Sequence, residues 1–95
     1  MPAYILVDMT VSDASAYEAY KRLAQASIEA FGGRYLIRGG ATAVLEGSWQ
    51  PRRLVLLEFP TSERARSWYA SPEYAQALAA RRSCAQANMV LAEGL

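Results

Sequence analysis

No histidine occurs anywhere in the 95 residues. That removes the usual general base, the proximal haem ligand and the commonest zinc ligand together. One cysteine, Cys84, forms neither an internal disulfide nor a thiolate metal cluster. Without a base to activate it, it reads as a small buried apolar residue near a helix end. No apolar run approaches the roughly 20 residues of a membrane span, and MPAYILVDMT has no basic segment ahead of its apolar one. A soluble cytosolic protein with no membrane partner is expected. Charge of one sign is also lacking. Ten basic and nine acidic residues leave a net charge of +1, so there is no electrostatic footprint for nucleic acid. Gly39-Gly40 has neither dinucleotide nor Walker spacing, which gives a phosphate loop little support.

What is present is a 53% apolar, 20% charged chain of one-domain size. A chain this short buries only about 60–65% of its unfolded surface, so a partner surface would help it. Ala3–Thr10 is β-prone, with Ile5, Val7 and Met9 on one side and Tyr4, Leu6 and Asp8 on the other. Asp13 can cap the following helix, and Ser15 with Glu18 fits a capping box. Tyr17, Tyr20, Ala24, Ile28 and Phe31 then recur at helical spacing, opposite a solvated face where Glu18 and Arg22 are placed to pair. Gly32-Gly33 ends that helix.

Arg34–Arg38 is a second strand. At Gly39-Gly40 it either bends through a bulge and continues as Thr42–Glu46, or reverses in a hairpin; the bend is favoured because GSWQPR makes the better turn. Arg53–Phe59 is apolar on both faces and reads as a central strand. Ser62 can cap a helix through Ala70, Ser71-Pro72 restarts one over Glu73–Arg82, and Ala87–Glu93 closes as a strand. The order is the split βαβ arrangement of an α+β, ferredoxin-like domain spanning 1–95, with an antiparallel sheet and both helices on one face.

Parity places Ile5, Val7, Met9, Tyr35, Ile37, Val55, Leu57, Phe59 and Val90 under the helices. It places Leu6, Leu36, Val44, Leu54, Leu56, Met89 and Leu91 on the other face with Asp8, Arg38, Glu46, Glu58 and Glu93. That second face is too apolar for water and too charged for a plain core. A homodimer packed through its sheets, with the charges framing a cavity, is expected.

The pieces Asp13-x-x-x-Tyr17-x-x-Tyr20, Gly32-Gly33-Arg34-Tyr35, Arg38-Gly39-Gly40, Glu46-Gly47, Arg53-Leu-Val-x-x-Glu58-Phe59-Pro60, Ala65-x-x-Trp68-Tyr69-x-Ser71-x-Glu73-Tyr74 and Glu93-Gly94 run in order over nearly the whole chain. In them the chain resembles the uncharacterised family known as domain of unknown function 1330, within the dimeric α/β-barrel superfamily. Ala14 stands where that family often carries proline, which touches only the helix start. The resemblance implies a ferredoxin-like subunit and a dimer through the sheets, and brings no agreed activity. The superfamily spans cofactor-independent monooxygenases, lactone isomerases, haem-degrading enzymes, dehalogenation-type proteins and ligand-sensing domains, and fold alone does not choose among them.

The residues themselves allow two functions. In the first, Arg38 and Arg53 grip a small organic acid or aromatic metabolite, Glu58 or Glu46 moves a proton, and Tyr35, Trp68 and Tyr69 form the apolar wall, with no bound cofactor. In the second the protein is a non-catalytic ligand-sensing or structural dimer in which Arg38, Glu46, Arg53 and Glu58 are consumed in ion pairs and the aromatics are core. RNA binding on this topology needs solvent-facing aromatics on a central strand, and RLVLLEF has none there.

Overall fold

The computed structural model describes residues 1–95. Strand β1 (Ala3–Val11) leads into helix α1 (Ala14–Ala30), strand β2 (Arg34–Arg38), strand β3 (Leu54–Phe59), helices α2 (Ser62–Tyr69) and α3 (Pro72–Arg81), and strand β4 (Ala85–Glu93). The strands form one antiparallel sheet in the order β2-β3-β1-β4, so β1 and β3 are central. This is the ferredoxin-like split βαβ arrangement, its second helix broken at Ser71-Pro72.

Local chemistry sets the element ends. Asp13 Oδ1 accepts from the Ala16 amide at 3.1 Å and caps α1. The Ser15–Glu18 box does not form, because Glu18 turns to Lys21, 2.6 Å away, rather than to the helix start or to Arg22. Gly32, at φ +79°, takes the left-handed conformation that releases the chain from α1. Thr61 rather than Ser62 caps α2, and Ser71 caps α3 with Pro72 in the first turn.

The core lies between the sheet and the helices. Ile5, Val7, Met9, Val55, Leu57 and Phe59 project from the central strands onto Tyr17, Tyr20, Ala24 and Ile28 of α1 and onto Ala65, Trp68, Tyr74 and Ala77 of α2 and α3. Three expectations about the sheet are corrected. First, the register between β2 and β3 advances one residue between Tyr35 and Ile37, so the bulge is at Leu36 and not at Gly39-Gly40. Ile37 therefore faces away from the helices opposite Leu56, while Arg38, opposite Val55, comes round to the helix side.

Second, β4 is inverted relative to its expected parity. Leu91 pairs with Ile5 and Met89 with Val7, which puts both on the helix side and leaves Val90 exposed on the open face. Third, Thr42–Glu46 forms no strand; residues 39–53 make one long irregular connection between β2 and β3.

That connection is tied down at Asp8, on the open face of β1. Asp8 Oδ2 accepts from the Trp49 indole N–H and Oδ1 from the Arg52 amide, both at 2.9 Å. These two bonds, the indole's first, hold the Asp8 carboxyl below its ordinary value of 3.8. A depressed carboxylate pKa contributes stability above the ordinary value, and that contribution is lost as pH falls through the folded-state value. Asp8→Asn is therefore expected to lower the thermal midpoint near neutrality and to flatten its fall below about pH 4. A pH series of melts on both proteins checks this; parallel acid limbs would contradict it.

Candidate functional site

Correcting the register brings two arginines to the same place. Arg38 from the end of β2 and Arg53 from the residue just before β3 both line a cleft between α1 and the helix side of the sheet. Its walls are Tyr17, Tyr20, Lys21, Ala24 and Ile28 of α1, Val7, Met9, Tyr35, Val55, Leu57 and Met89 of the sheet, and Trp68 of α2. The Arg38 guanidinium lies over the Tyr35 ring, 4.1 Å from its centroid, and Arg53 lies 5.6 Å from that of Tyr17. Stacking suits a planar, weakly hydrated cation and leaves its N–H edge free to bind.

Gly39 explains how the two cations fit. Its φ is +72°, and a Cβ there would collide with Arg53 Nη1 and come within 2.7 Å of Cζ. The bare backbone after Arg38 is the space Arg53 occupies. Neither arginine has a carboxylate within ion-pair distance; the two pairs in the molecule are Lys21–Glu18 and Arg34–Glu58. Arg38 Nη1 donates to Gln25 Oε1 at 2.9 Å, and the buried Arg53 Nε has no acceptor. An unsatisfied buried donor on a cation is costly, so an acceptor entering this cleft is favoured.

The cleft's other polar groups are also donors. Burial pushes the Tyr35 phenol above its ordinary value, with the Arg38 charge opposing the shift, and burial raises Tyr20 as well. Tyr20 and Tyr74 share a buried hydroxyl–hydroxyl bond of 3.1 Å. Trp68 is 1% exposed and donates its indole N–H to Ser27 Oγ at 3.0 Å. No carboxylate, imidazole or thiol lines the cleft. Its closed volume is about 30 Å³, room for about one water and well short of a metabolite.

The remaining expected site residues lie elsewhere. Glu58 opposes Tyr4 and Arg34 across the sheet and pairs with Arg34, Nε to Oε1, at 2.7 Å; the sheet separates it from Arg38. Its expected partners Arg53 and Arg38 face the helices instead. Glu46 is exposed in the long connection and makes no ion pair. Tyr69 is half exposed and stacks against Trp68 and Tyr74, bordering a separate open groove beside β4 with Arg66, Met89 and Leu91. Sequence reasoning missed Gln25 and Lys21 at the cleft. Their signal was helical spacing on α1, Lys21 one turn after Tyr17 and Gln25 one turn after Lys21. Nowhere do three acidic or thiol side chains converge as a metal site would require.

Fold and cleft together define a ferredoxin-like α+β domain with its candidate site between helices and sheet. The chain belongs to the family described as Domain of unknown function (DUF1330), which it matches over residues 2–95. Among solved structures it is similar to a protein of unknown function from Rhodopseudomonas palustris, at 20% identity and TM-score 0.79 over 99% of this chain and 82% of that one. It is also similar to SnoaB, a cofactor-independent oxygenase from Streptomyces nogalater, at 12% identity and TM-score 0.65 over 99% and 93% of the two chains. A dimeric ferredoxin-like protein of unknown function from Jannaschia is 14% identical, with TM-score 0.65 over 99% and 100%. Likeness at these identities concerns the fold. No protein of curated function matches the chain by sequence.

Proposed function

We propose that the protein is a homodimer, joined through its open sheet faces, that binds a small organic or aromatic acid in the cleft between α1 and the sheet. The observation that carries the ligand is the Arg38–Arg53 pair, two guanidiniums without a carboxylate partner above an aromatic floor. Arg38 and Arg53 hold the anionic group, Tyr35 donates to it, and Tyr35 and Trp68 make the wall. The dimer rests on the open face, where Leu36, Ile37 and Val90 are exposed beside the half-buried Leu6, Leu54 and Leu56. One similar structure is a dimer of this fold. Glu58 then serves the interface, since Arg34 holds it there, and Tyr69 borders the neighbouring groove.

Binding rather than acid–base catalysis is favoured because no carboxylate, imidazole or thiol lines the cleft to serve as a base. Turnover remains compatible with this site in one form. A carbon acid strong enough to lose its proton to solvent water would have its enolate stabilised by the two cations. A thermal-shift screen against small organic acids tests the reading. A ligand at 100-fold excess over Kd stabilises by about 2.7 kcal/mol, and Arg53→Met is expected to abolish the shift. An equal shift in Arg53→Met would contradict it.

A further inference from the structure

The cleft as it stands is too small for the ligand its charges invite, and beside it one of its two cations is already held by a neutral acceptor. Arg38 belongs to the sheet wall and Gln25 to α1, so the 2.9 Å bond from Arg38 Nη1 to Gln25 Oε1 joins the sheet edge to the helix beside the cleft. Gln25 is aimed from behind: its Nε2 donates to Glu29 Oε2, 3.4 Å away and one turn further along α1, which turns the amide oxygen toward Arg38. Arg38 is thus held from α1 by a neutral acceptor, while Arg53 Nε faces no acceptor.

We infer that Gln25 is a specificity-determining residue, a neutral latch whose amide oxygen occupies Arg38 until an anion displaces it. The inference rests on the reading of the cleft as an organic-anion site. A neutral amide is a weaker acceptor for guanidinium than a carboxylate, which can take a bidentate pair. An anion entering the cleft therefore outcompetes Gln25 for Arg38, whereas an uncharged ligand of the same shape leaves the amide in place. Free protein is mostly latched, and the apparent affinity of any ligand is reduced by the fraction of molecules that are open. Replacing the amide by a carboxylate would convert the latch into a permanent ion pair.

The molecule supplies its own probe, since one of its two tryptophans, Trp68, forms part of the cleft wall and the other, Trp49, is in the long connection. Benzoate is titrated into full-length wild type, Gln25→Ala and Gln25→Glu while the two indole N–H signals are followed by 15N–1H NMR. The expected result is that Trp68 shifts and Trp49 does not, with Gln25→Ala binding about 3- to 10-fold tighter than wild type and Gln25→Glu about 10-fold weaker or more. Both variants occupy a half-buried helix position and retain helix-forming side chains. If Trp68 shifts with equal affinity in all three proteins, or Gln25→Ala binds more weakly, the latch is overturned while the anion site stands. If benzoate moves Trp68 in none of them, the cleft reading fails and the latch with it.

Discussion

Trp68→Ala is expected to remove about 3–5 kcal/mol of stability, a large part of the roughly 5–15 kcal/mol that a domain of this size possesses. Trp68 is 1% exposed and joins the three helices to the sheet. Its ring centroid lies 5.4 Å from that of Phe59 on β3, 4.3 Å from Tyr74 on α3 and 6.1 Å from Tyr69. Its indole N–H reaches Ser27 on α1. Truncation leaves a cavity bounded by side chains from three elements, none of which can collapse without moving the others. Trp68→Phe keeps most of the apolar volume and loses only the indole bond; Ser27 Oγ still donates to Ala24 O at 2.8 Å, so no donor is orphaned. It is expected to cost about 1–2 kcal/mol. Urea midpoints at one fixed protein concentration measure both, because dimerisation would make stability concentration-dependent. A loss below 1 kcal/mol for the alanine variant would contradict this account of the core.

Leu56→Asp is expected to leave the subunit folded and to abolish the dimer. Leu56 is half buried on the open side of central strand β3, opposite Leu6 on β1 and Ile37 on β2. In a lone subunit an aspartate there stays in contact with water. In a sheet-to-sheet dimer it becomes an unpaired buried carboxylate in each of two copies, at several kcal/mol apiece. That raises the dissociation constant by a factor of about 10⁴ or more. Light scattering at micromolar concentration is expected to give twice the chain mass for wild type and the chain mass for Leu56→Asp, with far-ultraviolet circular dichroism unchanged. A dimeric variant, or a monomeric wild type, would contradict the interface.

The element order was legible because its signals are local. Asp13, Gly32-Gly33, Pro60 and Ser71-Pro72 punctuate the chain where the structure starts and stops its helices and strands. The faces were less legible. Nothing in Arg34-Tyr-Leu-Ile-Arg38 marks Leu36 as the bulged residue, since all three central side chains are β-prone, yet that one residue carries Arg38 from the open face to the cleft. In β4 both alternating sets carry apolar members, Met89 and Leu91 against Val90, so only pairing with β1 decides which is inside. The charged cluster expected on one face accordingly divides. Arg38 and Arg53 meet at the cleft, Glu58 stays with Arg34 on the open face, and Glu46 projects from the connection. The arginines were identifiable as candidates from the strand ends they occupy. Their company was not, because it depends on long-range register.

Calorimetric titration of the wild-type protein with benzoate and with benzamide, its neutral counterpart of the same shape, tests the central claim most directly. Two guanidiniums without a carboxylate partner above an aromatic floor predict that benzoate binds and that benzamide binds at least about 10-fold more weakly, with the benzoate affinity lost in Arg53→Met. Equal affinity for the two ligands, or benzoate binding that survives the loss of Arg53, would contradict it.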